Sequence, residues 1–127
     1  MPLRTKVVIF EPNKKNQDFL HKQLDALEII FTDSIEETQT KLVDDDDGTI
    51  CAIAITVPEP IQILKILPEV ERMRSSFLGP LIAFHKFQGT RRALREAGCD
   101  HECDTQDLPQ NLLETLGLCS QIDSASF

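Results

Sequence analysis

Three groups of residues in this 127-residue sequence have side chains that could do chemistry. The stretch "CDHEC" holds Cys99, His101 and Cys103, and on an extended segment their alternation sets three soft ligands on one face, as zinc takes them. A structural zinc site wants four ligands. The only further candidate nearby is His85, and no CxxC pair is present, so two small buried cysteines and a surface histidine are expected instead. Asp44 to Asp47 followed by Gly48 has the look of a calcium loop. Aligning Gly48 with the loop glycine, however, puts Val43 and Ala54 at the first and last ligand positions, so a solvated turn is expected. The third group, Glu11, Thr56 and His85, sits at the ends of apolar runs. His85 has the chemistry of a general base or phosphoryl carrier. With no nucleophile beside it except Thr56, it reads as a neutral side chain filling a pocket.

These residues are positioned by an alternation of strands and helices. Lys6 to Phe10 is a buried strand closing in Glu11 and a turn. Asn13 caps a helix with Phe19, Leu20, Leu24 and Leu27 at helical spacing. Ile29 to Phe31 is a short second strand, and Ser34 with Glu37 forms a capping-box pattern for a helix that turns Ile35, Thr38 and Leu42 inward. Ile50 to Ile55 is an almost unbroken apolar run containing Cys51, as a strand reads when both of its faces are buried. A helical stretch from about Ile61 to Met73 follows, which Pro68 should kink or restart. Pro80 to Phe84 is a fourth strand, and Thr90 caps a basic helix ending at Gly98. His101 to Cys103 is a short fifth strand. Pro109 opens the last helix, with Leu112, Leu113 and Leu116 inward and Gly117 at its end. Five strand–helix alternations with connections too long for hairpins predict a three-layer α/β/α domain around a five-stranded parallel sheet.

Composition narrows the function. The apolar share of 41% and charged share of 27% are those of a globular chain, long enough for one domain with its own core. A formal charge of −8 argues against general affinity for nucleic acid or anionic lipid. No run approaches the roughly 18 apolar residues of a membrane span, and the Val7–Phe10 run is too short for a signal-peptide core, so a cytoplasmic location is expected. The cysteines (51, 99, 103 and 119) show no framework spacing and read as reduced thiols. Residues 1–118 form the domain, and 119–127 read as a polar tail or the start of a linker to a further part of a longer protein.

"VVIFEPNKKNQDFL" resembles the first strand and helix of response-regulator receiver (CheY-like) domains, and "TVPEP" resembles the end of their phospho-acceptor strand. "PLIAFH" is similar to the fourth strand, and "AGCDHECDTQDLPQNL" to the fifth strand and last helix. The resemblance implies the flavodoxin-like receiver fold over essentially the whole chain, and it also implies departures. Where the family has paired acids for Mg²⁺, this chain has Glu11 and Pro12. Thr56 stands at the acceptor Asp position, His85 at the Ser/Thr position, Thr105 at the Lys position and Glu102 at the aromatic switch position. Mg²⁺ wants carboxylates in near-octahedral array, and phosphoryl transfer needs metal and lysine to neutralise charge. Thr56 cannot form an acyl phosphate. The resemblance therefore implies a degenerate pseudo-receiver with no catalytic residue, metal or cofactor.

Between Lys86 and Gly98 four bases (Lys86, Arg91, Arg92, Arg95) meet one acid (Glu96), a local charge of +3 that leaves −11 on the rest of the chain. In receiver-like folds this helix belongs to the usual partner and dimer face, so the resemblance points to an acidic protein partner or a second copy, with Phe87 as an anchor if exposed. A solvated helix face is the other reading of those bases. Function accordingly divides. One reading is a non-catalytic interaction module acting through residues 86 to 116, as the N-terminal regulatory part of a longer regulator. The other is an ion- or small-molecule-binding, or atypically phosphorylated, domain using Glu11, Thr56 and His85.

Overall fold

The computed structural model describes residues 5–45, 48–57, 63–85 and 91–117. Strands β1 (Lys6–Phe10), β2 (Glu28–Thr32), β3 (Ile50–Val57), β4 (Leu81–His85) and β5 (His101–Cys103) alternate with helices α1 (Lys14–Gln23), α2 (Ile35–Val43), α3 (Ile63–Ser76), α4 (Arg91–Ala97) and α5 (Leu108–Thr115). All strand pairs are parallel, as the alternation of elements predicts, in the order β2-β1-β3-β4-β5, the flavodoxin-like arrangement that the receiver resemblance implies. Two apolar layers sandwich the sheet. On one face Val8, Ile53, Ile55 and Ala83 pack against Ile35, Ile66, Val70, Met73 and Leu94 of α2, α3 and α4. On the other, Val7, Ile9, Ala52, Ala54, Ile82 and Phe84 pack against Leu20 and Leu24 at α1 and Leu108 and Leu112 of α5. Strand alternation assigns these side chains to their faces.

The starts of α1 and α2 follow the caps read from the sequence, while the Thr90 cap expected for α4 lies outside the described residues. Asn13 Oδ1 accepts from the N–H groups of Lys15 (2.9 Å) and Asn16 (3.2 Å), and Ser34 Oγ accepts from Glu37 N–H at 3.0 Å. The return arm of the capping box lands one residue early, since Glu37 Oε1 accepts from Asp33 N–H at 2.8 Å. Helix α3 runs unbroken through Pro68 rather than restarting there, and it extends past Met73 because Phe77 N–H donates to the Met73 carbonyl at 2.8 Å. Of the expected acidic turn, Asp44, Asp45 and Gly48 are described. The Asp45 carboxylate accepts from Thr49 N–H, Thr49 Oγ1 and Ile50 N–H and so fastens the start of β3. Chiefly through the Thr49 hydroxyl, these donors hold the Asp45 carboxyl below its ordinary range.

Cys51 departs from the expectation. It lies in β3 yet is exposed, because the β1–β3 register runs Lys6 to Ile50 and then Val7 to Ala52, leaving Cys51 bulged out of the ladder. The three-ligand face also dissolves. Cys99 packs in the α2/α3/α4 layer and Cys103 in the opposite layer, while His101 is exposed, so the alternative of two buried cysteines and a surface histidine holds. The reason is that Cys99 precedes β5 and lies beyond the reach of its alternation. Burial pushes the Cys99 thiol up to about 12, with Glu102 and Asp100 adding to the effect. Among the described residues no group of three or more His, Cys, Asp or Glu could hold a metal ion, and no helix is long and apolar enough to cross a membrane.

Candidate functional site

The carboxyl edge of the sheet collects the residues singled out in the sequence. Phe10 and Ile55 are register partners, so Glu11 and Thr56 are the next positions along neighbouring strands. They stand where the crossovers from β1 and β3 depart to opposite faces, the point at which open α/β sheets form a ligand crevice. His85 closes β4 in register with Val57. Thr105 begins a one-turn 3-10 helix (Thr105–Asp107) directly after β5 and is half-buried. Pro12 is exposed and does not fill the crevice. Of His85 and Arg91 only the backbone is described, and Lys86 and Phe87 lie outside the described residues.

Glu11 is buried and fully engaged. Its Oε2 accepts from Asn13 N–H at 3.1 Å and its Oε1 from the Asn16 side-chain amide at 3.0 Å. Its carbonyl accepts from the Gln17 side-chain amide at 2.6 Å, and its own N–H donates to Thr32 O at 3.1 Å, prolonging the β1–β2 ladder by one rung. Burial raises the Glu11 carboxyl above its ordinary range against the pull of the two amides. The side chain thus acts as an extra acceptor for the first turn of α1. A single carboxylate with both oxygens already accepting bonds, next to a proline, is not the donor set that Mg²⁺ takes, and these residues do not fit that ion. Thr56 is buried too, on the same sheet face as Ala52 and Ala54, and its hydroxyl offers no carboxylate beside Glu11.

On the far side of the sheet, Glu102 of β5 turns its side chain under α4, where it is 1% exposed. Its Oε1 accepts from Arg95 Nε at 2.7 Å. Arg92, on the exposed side of the helix, pairs with Glu96 at 3.2 Å. Part of the basic character read from this helix is therefore matched by acids of α4 and β5. The Arg95–Glu102 pair could not be read from the sequence, because the two lie seven positions apart on either side of the Gly98 turn. Asn16 and Gln17 were missed as well. The signal available was their place in the first turn of a helix that opens two residues after a buried acid.

The sequence matches no protein-family model and no curated protein. Solved structures share the fold. A response regulator from Thermotoga maritima superposes with a TM-score of 0.74 at 14% identity, covering 91% of this chain and 99% of that one. An orphan response regulator of H. pylori gives 0.67 at 16% identity, over 90% and 99%. An atypical orphan response regulator described as having a phosphorylation-independent regulatory mechanism gives 0.65 at 13% identity, over 87% and 94%. The chain has the fold of CheY-like response-regulator receiver domains, orphan regulators among them.

Proposed function

We propose that this chain is a pseudo-receiver, a non-catalytic signalling module that acts through phosphorylation-independent contact with a protein partner. Glu11 carries the reading. The carboxylate at the end of β1 has both oxygens taken, one by the N–H of the cap residue Asn13 and one by the Asn16 side-chain amide, and the neighbouring strand end offers Thr56 where acyl-phosphate chemistry needs an aspartate. Thr105, at the position the resemblance assigns to a phosphate-binding lysine, carries no charge. The atypical orphan regulator with the same fold supports the reading, since that protein's regulation is described as independent of phosphorylation. In this reading the contact face is α4, β5 and α5, where Arg92 and Arg95 remain largely exposed despite their pairs, and the partner is an acidic protein surface or a second copy of the chain. Such a module would work in the cytoplasm as the regulatory part of a longer regulator.

The alternative places an ion or small molecule between Glu11, Thr56 and His85. It requires Glu11 to release at least one of its two donors, the Asn13 N–H or the Asn16 amide.

Amide NMR of the chain titrated with Mg²⁺, then with Mg²⁺ and beryllofluoride, an acyl-phosphate mimic, tests the proposal. No saturable shift at Glu11, Thr56 or Thr105 is expected at millimolar Mg²⁺. Shifts centred on Glu11 and Thr56 that spread into α4 and Glu102 would overturn it and restore a phosphorylation switch.

A further inference from the structure

A groove of about 570 Å³ opens between the first turns of α2 and α3, on the sheet face opposite to Thr56. Its floor is apolar, formed by Phe10, Ile35 and Ile66, each nearly buried. Its walls carry three carboxylates (Asp33, Glu36 and Glu69) against one ammonium, Lys65, and Glu69 is already paired with Arg72 at 3.4 Å and accepts from the Gln39 amide at 3.3 Å. Below it, the Gln39 side-chain amide donates to the Glu69 carbonyl at 3.2 Å and ties α2 to α3.

One feature of α3 adds to this. Leu64 is 73% exposed and lies one turn before Pro68, which lines the groove, so the two share a face of the helix and form an apolar ridge beside it. The floor and this ridge want an apolar group, and the acidic walls want a cationic donor. An anion is disfavoured despite the nearby start of α2, because the lining acids outnumber the single lysine and Ser34 already meets a first-turn amide.

We propose that this groove docks a segment of a partner protein in which an apolar side chain lies beside a lysine or arginine. The volume suits a few side chains, within the range in which proteins hold small ligands. The site is separate from the α4–β5–α5 face and does not depend on it.

The test is amide NMR of the full chain titrated with a blocked Leu-Arg-Leu-Arg peptide, with Leu-Glu-Leu-Glu as the charge-reversed control. The basic peptide is expected to shift residues 34–36 and 65–69, and the acidic one to leave them in place. Glu36→Lys, at an exposed position, should weaken binding by about fivefold, the effect of one surface charge pair. Lys65→Glu should strengthen it by a similar factor. Equal binding of both peptides, shifts confined to α4, or no shift at all would sink the proposal. So would concentration-dependent shifts of the same residues without peptide, which would make a second copy the occupant.

Discussion

A carboxylate placed inside a protein gives up its water, and Glu11 has two donors in exchange, the Asn13 N–H and the Asn16 amide. Burial outweighs them, so the folded state holds the Glu11 proton more tightly than the unfolded chain, whose value is near the ordinary 4.5. The sign of the linkage follows. Above pH 4.5 the folded form binds more protons than the unfolded one, so stability falls as pH rises through the raised folded value and stays lower beyond it. Glu11→Gln keeps an acceptor for Asn13 and removes the titration. Its stability relative to the parent should therefore grow from pH 4.5 upward and then level off, as read by urea unfolding at a series of pH values; a pH-independent difference would contradict the burial argument. The acid at the strand end and the Asn13 cap were legible in the sequence. The partnership between them was not, because it forms only when the first turn of α1 folds back over Glu11.

Elements in this fold are locked to one another by small residues at close approaches. Gly98 ends α4 with φ +127, and a Cβ there would meet Cβ and Cγ of Arg74 at 2.9 Å. Arg74 cannot easily withdraw, since its Nη2 donates to the Gly79 carbonyl at 2.7 Å and to Asp100 at 3.3 Å, and Asp100 accepts in turn from Leu81 N–H at 2.9 Å. Gly98→Ala should therefore cost about 2 kcal/mol, from backbone strain and the α3–α4 clash together. Gly117→Ala, at φ +77 with nothing within 4 Å, should cost only the strain, about 1 kcal/mol. Thermal melts of the pair separate the two contributions, and equal losses would remove the clash from the account. Gly98 as a helix end was readable from its place after a basic helix. Its close approach to Arg74 was not, because Arg74 comes from a helix more than twenty residues earlier.

At the scale of the molecule, the strands and their parallel pairing were legible because strands buried on both faces leave apolar runs such as Ile50–Ile55, punctuated by caps and turns, whereas their order followed only from the receiver resemblance. What stayed hidden depends on pairings between distant segments. The groove between α2 and α3 needs both helix starts beside Phe10, and the split of Cys99 from Cys103 needs the turn before β5. The charge of the chain is similarly local. Acids gather around the groove while α4 carries arginines that are matched in part by Glu96 and Glu102.

The bulge at Cys51 gives the sheet a tolerance in chain length that no other point in β3 has. Removing a single residue from Ile53 to Val57 would draw Cys51 into the ladder and turn over the residues between it and the gap, sending layer residues to the wrong side. Removing Cys51 would leave Ile50 opposite Lys6 and Ala52 opposite Val7, with every face assignment intact. The chain thus carries one surplus letter. A Cys51 deletion should melt within a few degrees of the parent, whereas an Ile55 deletion, which turns over Ala52, Ile53 and Ala54, should fail to fold.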